Sequence, residues 1–184
     1  MGSATSRRLG GWPAFAASCV VAAGTAYAAE SFHAPFAYCA AVGTIDAPDA
    51  RYVGPAVPEE VARGLQKAFG VASSEPLFPF ERGTTWRCMD GAVYACNVGA
   101  NLPCGDKPPP DPKPTEAMRT WCAENRGSSF IPMYVTGHAT VFDWSCAGTV
   151  PKRGKQTEVL DARGFVASIW HRIEPPPSAS AGQH

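Results

Sequence analysis

The side chains that could perform acid–base chemistry are few and scattered along the chain. His138 could form an acid–base pair with Asp143 or with Asp90, and Glu81 could pair with Asp90 in the same way. Such a pair acts only when both groups reach the same substrate, and nothing in the spacing places any two of them together. Asp90 precedes a glycine, so turn geometry already explains this aspartate. The sequence therefore assigns no catalytic residue and favours a protein that is not an enzyme.

The sequence lacks the patterns typical of a nucleophile, a metal site or a phosphate loop. It has no Gly-x-Ser-x-Gly elbow, and no His-x-x-x-His or Glu-x-x-His spacing that would gather its histidines on one face. A metal site made of His33, His138 and His171 is accordingly disfavoured. Gly99 lies in a loop with no helix after it, whereas a phosphate-binding glycine loop leads into a helix. We expect neither a metal nor a cofactor.

The cysteines are the most informative of the reactive residues. Cys19 falls in the N-terminal segment that we expect to be removed, which leaves an even set of six. An even set in an exported chain predicts three disulfides, and the eight-residue intervals among the middle cysteines do not fit a zinc site. The predicted disulfide cysteines are Cys39, Cys88, Cys96, Cys104, Cys122 and Cys146.

The first 28 residues have the organisation of a signal peptide. A basic pair at positions 7 and 8 precedes an apolar run from Trp12 to Ala26, and Ala26-Tyr27-Ala28 supplies the small-x-small pattern of a cleavage site. The run is too short to cross a membrane as a helix, which needs about 20 apolar residues. We expect cleavage after Ala28, a periplasmic or secreted location, and no stable membrane insertion afterwards. The alternative is an uncleaved N-terminal anchor.

The charge balance argues against nucleic acid as a partner. The chain has 16 lysines and arginines and 16 acidic residues, and the predicted signal peptide removes two arginines but no acid. The remaining chain is slightly acidic, whereas nucleic acids and anionic membrane surfaces attract clustered positive charge.

One hairpin is clearly marked in the sequence. The Asp-Gly pair at positions 90 and 91 separates strands predicted over Thr84–Met89 and Ala92–Val98. In the register of a two-residue type I′ turn, Cys88 and Cys96 point to opposite faces of the hairpin. We therefore predict that these two cysteines bond to different partners and not to each other. A three-residue loop with a bulge would shift the register.

Two short amphipathic helices are predicted. The first covers residues 58–69, with Pro58 at its first position and a glycine after its end. The second follows an N-cap at Thr115 and ends near Asn125. Cys122 lies on its apolar face, and we predict a Cys104–Cys122 disulfide because the second helix can fold back on the loop end. The five prolines of residues 107–114 indicate a stiff surface crossing or, alternatively, a ligand for a partner.

These elements predict a small disulfide-stapled α+β domain, mainly antiparallel sheet, with five or six short strands and two short helices. We place this single domain at residues 36–173, after a signal peptide at 1–28 and a leader at 29–35, and before a disordered tail at 174–184. Further strands are predicted over Tyr38–Ile45, Phe130–Val135, Ala139–Cys146 and Phe165–Ile173, with loops over Ser73–Gly83 and Lys152–Lys155.

The aromatic residues suggest where a ligand would contact the protein. Most rings are expected in the core, since they bury a large area each. Rings on an outward sheet face could stack on a sugar or a partner surface, and Tyr94 and Tyr134 also offer a hydroxyl group. With His138, they are the candidate ligand-facing residues.

Three stretches resemble a group of small exported proteobacterial proteins. They are W-R-C-M-D-G-x-V-Y-A-C-N-V-G-A-N-L-P-C at residues 86–104, F-I-P-M-Y-V-T-G-H at 130–138 and the closing S-I-W at 168–170. The resemblance covers about Phe36–Ile173 and implies an envelope or secreted protein, but that group has no established activity to carry over. We expect a non-catalytic binding module whose partner is an envelope protein or glycan. The alternatives are a small exported hydrolase acting on cell-wall or extracellular polymer, and a structural envelope component.

Overall fold

The computed structural model describes residues 1–2, 30–97, 104–138 and 140–177. The predicted signal peptide lies almost wholly outside these residues, as do the loop from Val98 to Pro103, Ala139 and the tail from Ser178 onward. Within the described part, five α-helices accompany one three-stranded and one two-stranded sheet, which confirms the α+β class. The elements are α1 (Pro35–Val42), α2 (Glu59–Ala68), α3 (Phe78–Gly83), β1 (Thr84–Met89), β2 (Ala92–Asn97), α4 (Glu116–Glu124), α5 (Met133–Thr136), β3 (Phe142–Ala147), β4 (Val150–Gln156) and β5 (His171–Ile173).

The predicted β1–β2 hairpin is confirmed, with its register. Asp90 and Gly91 have φ values of 51° and 77°, as a type I′ turn requires, and Cys88 lies opposite Val93. Strand β5 pairs antiparallel with β2, so the sheet order is β1-β2-β5. Cys88 therefore faces one side of this sheet and Cys96 the other.

The Cys88 face of the first sheet carries the largest core. Trp86 and Val93 are buried on this face against Tyr38 of α1 and Leu65 of α2. The α2 axis approaches β5 closely at Gly64, where a Cβ atom would lie 2.3 Å from Cγ2 of Ile173. Helix α2 lies within the predicted 58–69 span, although Pro58 is its N-cap and not its first helical residue.

The strand predicted over Tyr38–Ile45 is wrong, because this stretch is largely helix α1. A short apolar run does not distinguish a buried strand from a buried helix turn, and Pro35 at the start with several alanines favours the helix. Only Ile45 pairs as a strand would, through an isolated bridge to Cys88. The chain is already paired at Phe32, inside the predicted leader, through a bridge to Tyr52.

The second sheet joins β3 to β4 through a turn with Gly148 at φ 63°. The basic loop predicted over Lys152–Lys155 is wrong, because these residues form part of β4. The strand predicted over Phe130–Val135 is also wrong: Pro132 is the N-cap of α5, and the chain before it runs beside β3. Strand β3, which lies largely within the predicted Ala139–Cys146 strand, pairs instead with β4.

Two other elements differ from the expected pattern. The stretch Ser73–Gly83 contains the short helix α3, in which Phe80 is buried while Phe78 is 58% exposed. The last strand is limited to β5, because residues 167–169 form a 3₁₀ turn. Helix α4 agrees with the prediction, since the Thr115 hydroxyl accepts a hydrogen bond from the Met118 N–H at 3.3 Å.

The three predicted disulfides are confirmed, with pairs Cys39–Cys88, Cys96–Cys104 and Cys122–Cys146. As expected, Cys88 and Cys96 bond to different partners. The predicted Cys104–Cys122 bond is wrong. Residues 105–115 carry the chain away from the first sheet, so that α4 packs on the second sheet and Cys122 meets β3. Among the residues that the structure describes, no helix is long and apolar enough to span a membrane.

Candidate functional site

An open cleft of about 760 Å³ lies between the segment that leads into α5 and the start of β3. The loop before α5 forms one wall, and Thr157 and Glu158, just after β4, contribute to the other. The lining combines large apolar side chains with hydroxyl, imidazole and carboxylate groups, as expected of a small-ligand or peptide site. The lining includes Phe130, Met133, His138, Phe142, Asp143, Trp144 and Glu158.

Backbone hydrogen bonds fix the floor of this cleft. The N–H of Ile131 donates to the Trp144 carbonyl at 2.7 Å, and the N–H of Thr157 donates to the Val141 carbonyl at 2.8 Å. The same edge of β3 binds Ser128, whose carbonyl accepts from the Cys146 N–H at 2.8 Å. Since Cys146 is also disulfide-bonded to α4, the walls are tied to a stapled core. The fold itself therefore fixes the walls of the cleft.

Trp144 forms the base of the cleft. Its side chain is 5% exposed, and its indole Nε1 donates to the Thr140 hydroxyl at 3.1 Å. The same hydroxyl accepts a 3.4 Å hydrogen bond from the Phe142 N–H. Thr140 therefore holds both the ring and the backbone at the entry to β3.

His138 lies at the boundary between two clefts. It is exposed, and it lines both the 760 Å³ cleft and a neighbouring cleft of about 570 Å³ beside the proline-rich segment. Trp144 is shared by the two clefts as well. A ligand longer than one side chain can therefore extend across His138 from one cleft to the next.

Two carboxylates line the larger cleft. Asp143 is exposed, and its carboxylate accepts no hydrogen bond and forms no ion pair with any side chain the structure describes. Glu158 is half-buried, and its Oε2 accepts from the Ser168 hydroxyl at 2.8 Å. His138 and Asp143 thus share one cleft, although no hydrogen bond joins them in the described structure.

Exposed apolar side chains surround the cleft. Phe130 is 62% exposed and Met133 is 46% exposed, and both line it. Tyr134, the next residue of α5, is 75% exposed, with its ring edge-on to Trp121 at a centroid distance of 5.8 Å. Large apolar residues exposed together mark a binding surface more often than single ones do.

The other residues considered from the sequence lie elsewhere. Tyr94 is half-buried on β2, packed against the cluster that contains Cys96 and Trp170, so its ring has little access to a ligand. Asp90 stays at its hairpin turn, where its N–H donates to the Thr44 hydroxyl at 3.0 Å. Glu81 lies on α3, away from the cleft.

Sequence reasoning missed several residues of the site. Glu158 reaches the cleft only because the chain after β4 runs back beside β3, and no local pattern signals this. Phe130 and Met133 lie on either side of Pro132, and an apolar pair around a proline could have indicated an exposed turn.

Among the described residues, no group of three or more histidine, cysteine or acidic side chains is arranged to hold a metal ion.

No protein-family pattern matches the chain, and no curated protein or solved structure is significantly similar to it. Function must therefore be argued from the geometry and chemistry of the cleft, since a fold class by itself implies no activity.

Proposed function

We propose that this protein is an exported bacterial binding module without catalytic activity, acting in the periplasm or outside the cell on an envelope protein or glycan. Its binding site is the cleft bordered by α5 and β3, which we call the α5 cleft. The observation that carries the proposal is the exposure of Phe130, Met133 and Tyr134 around a cleft whose floor is fixed. Burying one such side chain yields about 1.5–3 kcal/mol, so a partner that covers all three gains substantial free energy.

Export is supported by independent features. Six cysteines form three disulfides, which persist in oxidising compartments and are rare in the cytosol. The first 28 residues have the signal-peptide pattern, and the resemblance to small exported proteobacterial proteins points to the same compartment. A test is to express the full-length chain in a bacterium and fractionate the cells. A shortened, oxidised product in the periplasm or medium supports the proposal, and a full-length reduced product in the cytoplasm contradicts it.

The binding role is tested by comparing three immobilised, oxidised proteins. The wild type is compared with a Phe130→Ser/Tyr134→Ser variant, and with Phe78→Ser as the matched control. Phe78 is a similarly exposed ring, 58% against 62% for Phe130, but it lies on α3 outside the cleft. We expect envelope components retained by the wild type and the control to be lost from the double variant.

Retention that is equal on all three proteins would contradict the α5 cleft as the binding site. No specific retention on the wild type, across envelope proteins and purified cell-wall glycan, would contradict the binding function itself.

A second candidate function is a hydrolase acting on cell-wall or extracellular polymer. It is favoured by one observation, that His138 and Asp143 both line the α5 cleft. In this reading His138 takes a proton from the attacking water and gives it to the leaving group as the bond breaks, a role that contributes about 10²–10⁴-fold. The test measures soluble fragments released from purified cell wall by the wild type, by His138→Ala and by His33→Ala. His33 is an exposed histidine outside the cleft, so only the His138 variant should lose turnover. Unchanged turnover in His138→Ala removes this candidate.

A further inference from the structure

The charge of the α5 cleft selects among ligands. Asp143 and Glu158 line it, and no lysine or arginine does so among the described residues. Cations are not scarce in the protein, since it has 16 lysines and arginines. The cleft is therefore complementary to a positively charged group, while its apolar lining provides the contact area.

Two cations at the edges of the clefts, Arg153 and Lys113, pair with Asp111. Arg153 of β4 pairs with Asp111 at 2.5 Å, and its guanidinium lies 4.9 Å from the Phe142 ring centroid. Lys113 also pairs with Asp111, at 2.9 Å. The residue beside Asp143 on β4 is Gly154, where an added Cβ would lie 3.1 Å from the Asp143 Cβ. A glycine at this position brings no charge to the carboxylate.

The aromatic side chains suit the rest of a lysine side chain. Phe130 lines the cleft and is 62% exposed, and a lysine packs its four-carbon stem on such apolar surface while its ammonium stays near polar groups. An ammonium near an aromatic face gains a further electrostatic attraction to the ring. Carboxylates and rings in one cleft therefore recognise both parts of a lysine.

The neighbouring cleft indicates a chain and not a small amine. It shares His138 and Trp144 with the α5 cleft, and it is lined by Asp106 and Asp111 together with Lys113. The two clefts together measure far more than one side chain requires, about 760 and 570 Å³. An extended segment can place one side chain in the α5 cleft and continue across His138.

We propose, on the basis of the binding function above, that the α5 cleft docks a lysine-containing segment of a partner protein. The lysine stem lies against Phe130, and its ammonium faces the carboxylates of Asp143 and Glu158. No covalent step is involved. The partner is thus a basic protein segment and not a neutral glycan.

The test is a calorimetric titration of the oxidised full chain with a penta-lysine peptide and with its fully Nε-acetylated analogue. The variants are Asp143→Asn, Asp143→Asn/Glu158→Gln, and Glu124→Gln as a charge-matched control on an exposed position of α4. We expect about a fivefold loss of affinity in the single cleft variant and at least about tenfold in the double variant, consistent with charge-assisted contacts. The control should bind as the wild type does, and acetylation should abolish binding.

Equal affinity for the acetylated peptide, or wild-type affinity in the double cleft variant, would overturn the lysine assignment. The lysine assignment would also be overturned if the protein did not bind penta-lysine while its retention of envelope components still depended on Phe130 and Tyr134. In that case the binding function would stand. Equal retention of purified cell-wall glycan by the wild type and by the Asp143 and Glu158 variants would also overturn the lysine assignment. Loss of all retention by the wild type would instead remove the binding function on which the inference rests.

Discussion

Arg87 of β1 and Asp161, 74 residues further along the chain, form an ion pair that is closed off from solvent: the two side chains are only 1% and 10% exposed. The Arg87 guanidinium also packs against the rings of Phe165 and Trp170, 4.4 Å from each centroid. Its Nε and Nη1 have no hydrogen-bond partner among the described residues. This pair holds the segment after β4 against the Cys96 face of the first sheet.

Replacing Asp161 by Asn should destabilise the protein strongly. It leaves the Arg87 charge buried without its counter-charge, which typically costs about 3–5 kcal/mol in the free energy of unfolding. Arg87→Met should cost less, because Asp161 keeps hydrogen bonds from the Arg163 and Phe165 N–H groups at 2.8 and 3.1 Å. Urea unfolding of the oxidised protein measures both.

The control for this pair is Glu59→Gln, which removes the exposed pair that Glu59 forms with Arg63. Exposed pairs contribute about 0–1 kcal/mol, so the control should stay near the wild type. If Asp161→Asn lowered the free energy of unfolding by less than about 1 kcal/mol, the buried pair would not stabilise the protein as we expect.

The ion pairs of Asp46 lead us to expect that the protein loses stability in acid. The hydrogen bond from the Arg163 guanidinium, joined by Lys107 at 2.5 Å, holds the pKa of Asp46 far below its usual value, although partial burial opposes this. A carboxyl whose pKa is lower in the folded state stabilises above its unfolded pKa, about 4, and this contribution is lost as pH falls toward the folded value. The free energy of unfolding should therefore decrease below about pH 5.

Asp46→Asn should flatten this pH dependence and lower the stability at pH 7 toward the acid value. The measurement is urea unfolding of the wild type and the variant at a series of pH values from 7 down to about 2. Parallel pH curves for the two proteins would contradict a role for Asp46.

Asp161 adds to the same loss of stability in acid. Burial would raise its pKa, but the Arg87 hydrogen bond and two backbone N–H groups together lower it.

Gly64 should resist substitution although it lies inside a helix. Alanine favours a helix over glycine by about 1 kcal/mol, yet its Cβ would lie 2.3 Å from Cγ2 of Ile173. We expect Gly64→Ala to lower the free energy of unfolding by about 1–3 kcal/mol, as overpacking does. Gly105→Ala, in a turn, is the control, because among the described residues only its chain neighbours would lie within 4 Å of a Cβ atom there. Adding Ile173→Ala should remove the clash, so a double-mutant cycle in which the two changes simply add would contradict the packing argument.

The disulfides should differ in their contribution to stability. The cysteines of the Cys39–Cys88 bond are 49 positions apart in the sequence, and those of the Cys96–Cys104 bond only 8. In the chain-entropy description, these spans correspond to about 4 and about 2.5 kcal/mol. Thermal unfolding of paired Cys→Ala variants should show the larger loss for the first bond, and the reverse order would contradict an entropic origin.

Local rules in the sequence determined the parts of this protein that depend on neighbouring residues. Asp90-Gly91 specified the hairpin and its register, because few residue pairs accept positive φ at both turn positions. Thr115 marked the start of α4 because its hydroxyl caps the helix a few residues away. The even cysteine count predicted three disulfides, and the turn register kept Cys88 and Cys96 apart.

Only the tertiary structure decided what depends on distant segments. The turn at Gly148 gave β3 a different partner strand, and the proline-rich crossing sent Cys122 to Cys146 and not to Cys104. The α5 cleft arose in the same way, since it joins His138 and Asp143 to Glu158 across the end of β4. Turn and capping preferences act over a few residues, whereas pairing among strands, cysteines and cleft walls is chosen by the packing of the whole chain. The sequence therefore determined the hairpin and the number of disulfides. The packing determined which cysteines pair and where the cleft lies.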